Sequence, residues 1–484
     1  MEIFRKFFFK DPAKPLFWLA LGFIVKGILP FLWLLHSHPH NDIPGFWGGT
    51  GGDTFSYLAP IDNWLKNGIY SPDFRMPGYG AVYLIFRWFS SLAVACNLLL
   101  VLQFLLVSVS VYFIGLTARN IFKSDSVFYA SFYLYLISSF PNLYDGCIQT
   151  ESLCTSFLIF SVYFLTSYFN SKKLTYLLLS AVLITWAVFM RPAFALLIPV
   201  FAIFIVLQNR SKIGKNIKFG MLFLVPFICV DGLWTLRNYK LHKKMIPLTT
   251  IGNYPNIEST YLQPMFNFVQ CWGGAYSFGD KEPDLSWFDY TYSGRIKPLY
   301  YDSLPDNIYT SAYTKDSLLH LKKLILALQN PLIDSSAFKS DQRELITKFT
   351  KYKESFRREK SITYYIQTPL KLTDIFLYGA YTKKYLDRGQ TLKKLNLPLK
   401  ILSNGIYLTV LLLGLSGMCI LLFKGLKRNI VYLLILSIPM YTIIIHAVIL
   451  RIPDGRFLMP VWAFMVICCS YQIEQIYVRF LKKP

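Results

Sequence analysis

Pro77-Gly78-Tyr79-Gly80-Ala81-Val82-Tyr83-Leu84-Ile85-Phe86-Arg87-Trp88-Phe89-Ser90-Ser91-Leu92-Ala93 is the stretch on which the threading of the whole chain depends. It is apolar, it is interrupted by Arg87, and it stands between the first and second long apolar segments. If it crosses a bilayer, the basic run Arg119-Asn120-Ile121-Phe122-Lys123 falls outside, Glu151 falls inside, and every later basic loop is inverted. If it lies in or near the membrane interface, Lys and Arg collect on one side throughout, as cytoplasmic loops do. The interfacial reading is therefore preferred.

The chain around it is 54% hydrophobic, 17% aromatic and only 16% charged over 484 residues. Soluble domains carry about 25% charged residues, and several segments here approach the ~20 apolar residues that cross a hydrocarbon core. Working outward from 77–93, the spans are 15–35, 95–118, 127–143, 153–169, 174–190, 193–207, 219–236, 397–423, 430–450 and 457–478. That makes about ten crossings with both termini inside. The expected fold is all-α and multi-pass, with extracytoplasmic loops and interfacial helices. Three regions are expected: residues 1–237 as the membrane core with a first outer loop at 36–94, residues 238–394 as a polar, aromatic-rich outer segment, and residues 395–484 as closing spans. In the outer segment, 318–328 and 341–360 read as short helices, and 363–378 as a return to the membrane surface.

The net charge of +23 invites a nucleic-acid reading, but cytoplasmic loops account for it and no RNA- or DNA-binding motif is present. Anionic lipid or phosphate-bearing substrates are the partners that charge leaves open. The eight cysteines include no C-x-x-C pair, so neither a zinc site nor a redox motif is indicated. His36-Ser37-His38-Pro39-His40 with Asp42 admits a metal reading, and a polar exit from the first span explains it as well. No internal repeat of the kind found in many secondary transporters is visible.

This threading puts Asp53, Arg75, Glu151, Arg191, Arg237, Arg451 and Arg456 on one side of the membrane. Ionisable groups at such depths are costly and tend to mark function. One carboxylate with several arginines suits transfer of a sugar from a polyprenyl phosphate. The leaving group is already a stabilised phosphate, which needs positive charge rather than a general acid. The acceptor hydroxyl needs a carboxylate to take its proton. Each residue also has a plainer reading. Asp53 fits a helix N-cap, Glu151 fits the first turn of a helix, and Arg75 and Arg456 fit interfacial snorkelling. Arg191 beside Pro192 fits a helix boundary.

Five elements follow one another along the chain: Gly52-Asp53-Thr54 with Tyr57; Arg75-Met76-Pro77-Gly78-Tyr79; Thr150-Glu151; Trp234-Thr235-Leu236-Arg237-Asn238-Tyr239 followed by Gly252-Asn253; and Arg456-Phe457-Leu458-Met459-Pro460. In that order they resemble the GT-C superfamily of integral-membrane glycosyltransferases. The bacterial branch related to protein O-mannosyltransferases and the lipid A aminoarabinose transferase is the nearer likeness. The last has Phe457 where the family pattern has Tyr. The resemblance implies a GT-C-like helical bundle in the bacterial inner membrane, with its active site on the extracytoplasmic face. It implies an undecaprenyl-phosphate-linked donor and a glycolipid, glycan or protein acceptor. Asp53 is then the catalytic base and Glu151 a second acidic group. Arg75, Arg237 and Arg456 bind the donor phosphate, and Tyr57, Tyr79, Asn238 and Arg451 are possible substrate contacts. The resemblance leaves the metal open, since only some members use a divalent cation. A polysaccharide polymerase or ligase, and a lipid-linked sugar flippase, remain alternative functions. Trp272, Trp287 and Tyr290 are the outer aromatics that fit acceptor stacking.

Overall fold

The computed structural model describes residues 10–37, 39, 41–208, 213–248, 261–274, 288, 304, 306–328, 335–379, 397–427 and 429–480. Every regular element among them is helical. They pack as two compact units, one of residues 1–249, 384–442 and 456–484, the other of residues 250–383 and 443–455.

In the first unit, α1 (Pro15–Ser37) is followed by two short helices, α2 (Thr54–Asn67) and α3 (Gly78–Arg87). Then come α4 (Leu92–Phe122), α5 (Asp125–Ile137), α6 (Thr150–Ser171), α7 (Leu174–Met190), α8 (Leu197–Leu207) and α9 (Ile213–His242). Seven helices among the described residues are long and apolar enough to cross a membrane, so this is an integral membrane protein. Four of them are α1, α4, α6 and the 216–242 part of α9; the other three lie at 401–427, 430–449 and 459–479.

The stretch 77–93 forms α3, whose ten residues reach only about 15 Å, against a hydrocarbon thickness of about 30 Å. Ser91 ends the excursion: its hydroxyl accepts from the Val94 amide and caps α4. Two of the expected crossings, 127–143 and 193–207, are shorter than drawn. Residues 127–143 are a helix only to Ile137, because Ser138 turns extended and Pro141 opens a 3-10 turn. The helix expected at 193–207 begins only at Leu197, after a 3-10 turn at Pro192–Phe194, whereas 174–190 is a helix over its whole expected length and ends before Pro192, which cannot continue the hydrogen-bond ladder.

Aromatic packing fills the first unit. Trp18 meets Phe132 edge-on at 4.8 Å, and Tyr407 stacks on Trp462 at 4.6 Å. Lys26, midway along α1, is buried; its ammonium group bonds the Ser138 carbonyl and Asn142 Oδ1. Asn142 in turn donates to Asp145 at 2.8 Å. This polar knot stands directly behind the loop that carries the second acidic motif.

The second unit closes around Met265, Phe268, Trp272, Tyr313, Leu321, Phe349 and Phe356. Its helices are α10 (Leu262–Val269), α11 (Lys315–Leu328) and α12 (Ser335–Glu359), continued by helical turns to Gly379. Trp272 is a core residue here, 4.9 Å from the Phe268 ring and 6.0 Å from Phe356, so it does not offer a face for stacking a sugar. Trp287, Tyr290, His38, His40 and Gly252-Asn253 lie outside the described residues.

Candidate active site

The glycines before Asp53 are explained by what they touch. The Gly49 amide donates to the Gly146 carbonyl at 2.8 Å, and the Ile148 amide donates back to the Gly49 carbonyl at 3.2 Å. A Cβ on Gly48 would stand 2.7 Å from the Gly146 carbonyl oxygen, and one on Gly51 2.0 Å from Gln149 Nε2. Glycine here permits close approach of two backbones. The Thr54 hydroxyl then donates to the Ile148 carbonyl at 2.9 Å and accepts from the Gly51 amide at 2.8 Å. The loop bearing Asp53 and the loop bearing Glu151 are thus sewn into one frame. Beneath it the buried Gln103 side chain donates to the Asp145 and Cys147 carbonyls, 3.0 Å each.

Asp53 occupies the N-cap position of α2, yet its side chain makes no capping bond. One carboxylate oxygen meets Arg75 Nη2 at 2.6 Å, and the other meets Arg456 Nη1 at 3.0 Å. Two arginines separated by 381 positions thus converge on one carboxylate. Arg75 is held by Ser56 Oγ at 3.1 Å and lies 4.7 Å from the Tyr57 ring. All three charged groups keep about a quarter of their side-chain surface exposed, enough to receive a ligand.

Glu151 forms the second pair, with Arg191 at 2.9 Å, and here the side chains are only 4% and 9% exposed. The contact is an ion pair, because the arginine nitrogen lacks hydrogen-bond geometry to the carboxylate. Two aromatics link the pairs. The Phe457 ring lies 4.8 Å from the Arg191 guanidinium and 5.3 Å from that of Arg456. Tyr57, a partly exposed ring whose hydroxyl lies deep, feels both pairs. Burial pushes its phenol up, Arg75 and Arg191 pull it down, and Glu151 and Asp53 add to the rise. Tyr79 packs 5.5 Å from Tyr57 and donates to Gln103 at 2.9 Å, fully buried.

Arg237 belongs to another cluster. It pairs with Asp73 at 2.8 Å, donates to the Tyr70 carbonyl at 3.2 Å, and lies 4.8 Å from the Trp234 ring. His242 meets the same Asp73 oxygen at 2.7 Å. Burial raises the Asp73 carboxyl, but the bonds from His242 and Arg237 outweigh it and leave it below its ordinary value. Asn238 accepts from Arg237 and donates to the Ile246 carbonyl. Arg451 lies in the second unit, 7% exposed, with its donors on the carbonyls of Gln270, Cys271 and Tyr364. The motif reading singled out neither Asp73 nor the buried Lys26 and Asp145, which Asn142 joins. An Asp two residues before Arg75 carries no signal until Arg237 is seen beside it.

The acidic groups do not fit a divalent cation. Asp53 and Glu151 each face guanidinium groups, and no cluster of three His, Cys, Asp or Glu with metal-binding geometry occurs among the described residues.

Residues 82–234 match the family model described as dolichyl-phosphate-mannose-protein mannosyltransferase. The match agrees with the GT-C resemblance carried by the motifs. The mannosyltransferase-like segment contains Glu151 and Arg191, whereas Asp53, Arg75 and Arg456 lie outside it. No curated protein matches the chain. Among solved structures the chain is similar to the Archaeoglobus fulgidus oligosaccharyltransferase, crystallised with a tethered acceptor peptide containing the NVT sequon. The TM-score is 0.46 and the identity 13%, over 97% of this chain and 51% of that one. The chain therefore spans about half the length of that protein.

Proposed function

We propose that this protein is a membrane glycosyltransferase that moves a single sugar from a polyprenyl-phosphate-linked donor to a glycolipid, glycan or protein acceptor on the extracytoplasmic face. The observation that carries the reading is the Asp53 carboxylate held between Arg75 and Arg456. In this arrangement both carboxylate oxygens are occupied by guanidinium groups. A donor phosphate competes for the same two groups, since guanidinium binds phosphate as well as it binds carboxylate. Drawing the arginines toward the phosphate frees an oxygen of Asp53 for the acceptor hydroxyl.

The acceptor oxygen then attacks the anomeric carbon and the bond from that carbon to the phosphate oxygen breaks. The hydroxyl proton passes to Asp53, and the charge released on the polyprenyl phosphate is met by Arg75 and Arg456. Glu151, fixed by Arg191, and Tyr57 line the acceptor side. Tyr79 supports Tyr57 from below. Arg237 and Asn238, in the Asp73 cluster, are assigned to the donor's lipid-phosphate end.

Asp53→Asn tests this. It keeps the shape and one acceptor oxygen but cannot take the proton. Transfer from a purified polyprenyl-phosphate sugar should fall by about 10²–10⁴-fold, the usual worth of a general base, with donor binding retained. Wild-type turnover in that variant would reject the assignment. Products extended by many sugars would point instead to a polymerase.

A further inference from the structure

Helical residues 361–370 carry an apolar face that nothing among the described residues covers. Ile362 is 64% exposed, Tyr365 56%, Ile366 54% and Leu370 65%. They stand on the open surface of a run whose residues Thr363–Gln367 form a π-helical turn. Thr368, Pro369 and Leu372 of the same run are buried. The stretch is bracketed by cations: Arg357 and Arg358 in the turn before it and Lys371 just after, all exposed.

Within the second unit this helix packs on the end of an apolar helix. The helix at 430–449 is long and apolar enough to cross a membrane, and its last turns, Ile444–Ile449, pack against Thr368–Asp374. The His446 ring stacks on Phe376 at 6.0 Å. Just beyond the span, Arg451 adopts a left-handed backbone conformation, φ 56°. Its guanidinium donates to the Tyr364 carbonyl at 2.6 Å and lies 3.8 Å from that residue's ring. The apolar stripe therefore stands beside the mouth of a span whose own outward residues, Ile444, Val448 and Ile449, are exposed.

We propose that residues 361–370 lie in the interfacial layer of an anionic bilayer, with Ile362, Tyr365, Ile366 and Leu370 in the acyl boundary and Arg357, Arg358 and Lys371 on anionic headgroups. Amphipathic helices with a basic border bind such surfaces through apolar burial and charge together. Arg451 is then the clamp that holds the helix at this level. The inference is independent of the glycosyl-transfer reading.

A nitroxide label reads it directly. Ile366→Cys and, as a reference, Thr350→Cys are placed in full-length protein whose exposed Cys229 and Cys419 are replaced by serine. Both are reconstituted in nanodiscs containing phosphatidylglycerol and in nanodiscs of phosphatidylcholine alone. At 366 the label should collide several-fold more often with dissolved oxygen than with a water-borne nickel chelate, and at 350 the ratio should reverse. Immersion at 366 should be deeper in the anionic discs. Equal access of the nickel chelate at 366 and 350 in the anionic discs overturns the proposal. Equal immersion in both lipids overturns the part assigned to Arg357, Arg358 and Lys371.

Discussion

Glu151 and Arg191 show how differently two carboxylate–arginine contacts can be built in one site. The Asp53 contacts are part-exposed, where an ion pair adds little to stability and partners exchange readily. The Glu151 pair is buried, and breaking it from one side leaves an uncompensated charge. Arg191→Met should therefore lower stability by about 3–5 kcal/mol. The double variant Glu151→Gln with Arg191→Met should recover much of that loss, since it removes both charges. Thermal unfolding in detergent compares them, and a double variant no more stable than the single one contradicts charge compensation. The motifs named Asp53, Arg75, Glu151 and Arg456 without showing that two arginines would share Asp53. They were legible because each sits in a short run of unusual composition. The partners of Lys26 were not legible, because Asn142 and Asp145 are more than a hundred positions away and lie in an ordinary polar loop.

Helices and loops set those side chains in place through contacts that an apolar pattern reports unevenly. The pattern foresaw that 77–93 need not cross, and the ten residues of α3 agree. It drew 127–143 too long and started 193–207 too early, because the turns after Ser138 and Pro192 involve so few residues that the stretches around them stay apolar, while 174–190 was legible to its last residue. Glycines are more telling. A Cβ on Gly78 would lie 2.4 Å from the Phe189 backbone carbon, which cannot move aside, whereas one on Gly52 meets nothing within 4 Å. Gly78→Ala should cost about 1–3 kcal/mol by overpacking and Gly52→Ala should be tolerated. Equal thermal midpoints for the two would contradict that contact. In the second unit, Glu359 ends α12 and accepts from the Ser311 amide, the Ser311 hydroxyl and the Ser355 hydroxyl, which hold its carboxyl down at about 2. A depressed carboxyl contributes stability above its unfolded value, about 4.3, and loses it as pH falls toward about 2. Acidification through that window should speed amide exchange at Ser311, after correction for intrinsic rates, and Glu359→Gln should remove this pH dependence. An unchanged profile in the variant would assign the effect elsewhere.

Across the whole molecule, the distribution of charge bears on which compartment the Asp53 cluster faces. Its members converge in one unit whatever the orientation, so the site itself survives either answer. The basic turns at Arg119–Lys123 and Lys172-Lys173 close α4 and α6, with Lys123 and Lys172 in left-handed caps at φ 56° and 59°. Asp53 and Arg75 sit beyond the other end of α4, on the far side of a helix 31 residues long. Such a helix is long enough to span the bilayer with length to spare, and the proposed topology puts these basic turns and the cluster in opposite compartments. Positive charge is retained on the cytoplasmic side, so the proposed orientation has the basic turns inside and the cluster outside. Lys66→Cys, exposed on α2, and Lys173→Cys, exposed at the basic turn, separate the possibilities in a background lacking Cys229 and Cys419. In sealed right-side-out vesicles an impermeant maleimide should modify position 66 and spare 173; in inverted vesicles the pattern should exchange. Reaction of both positions from one side would mean that α4 does not cross. The reverse pattern would put the Asp53 cluster in the cytoplasm, where the donor would have to be used on the leaflet that faces its own synthesis.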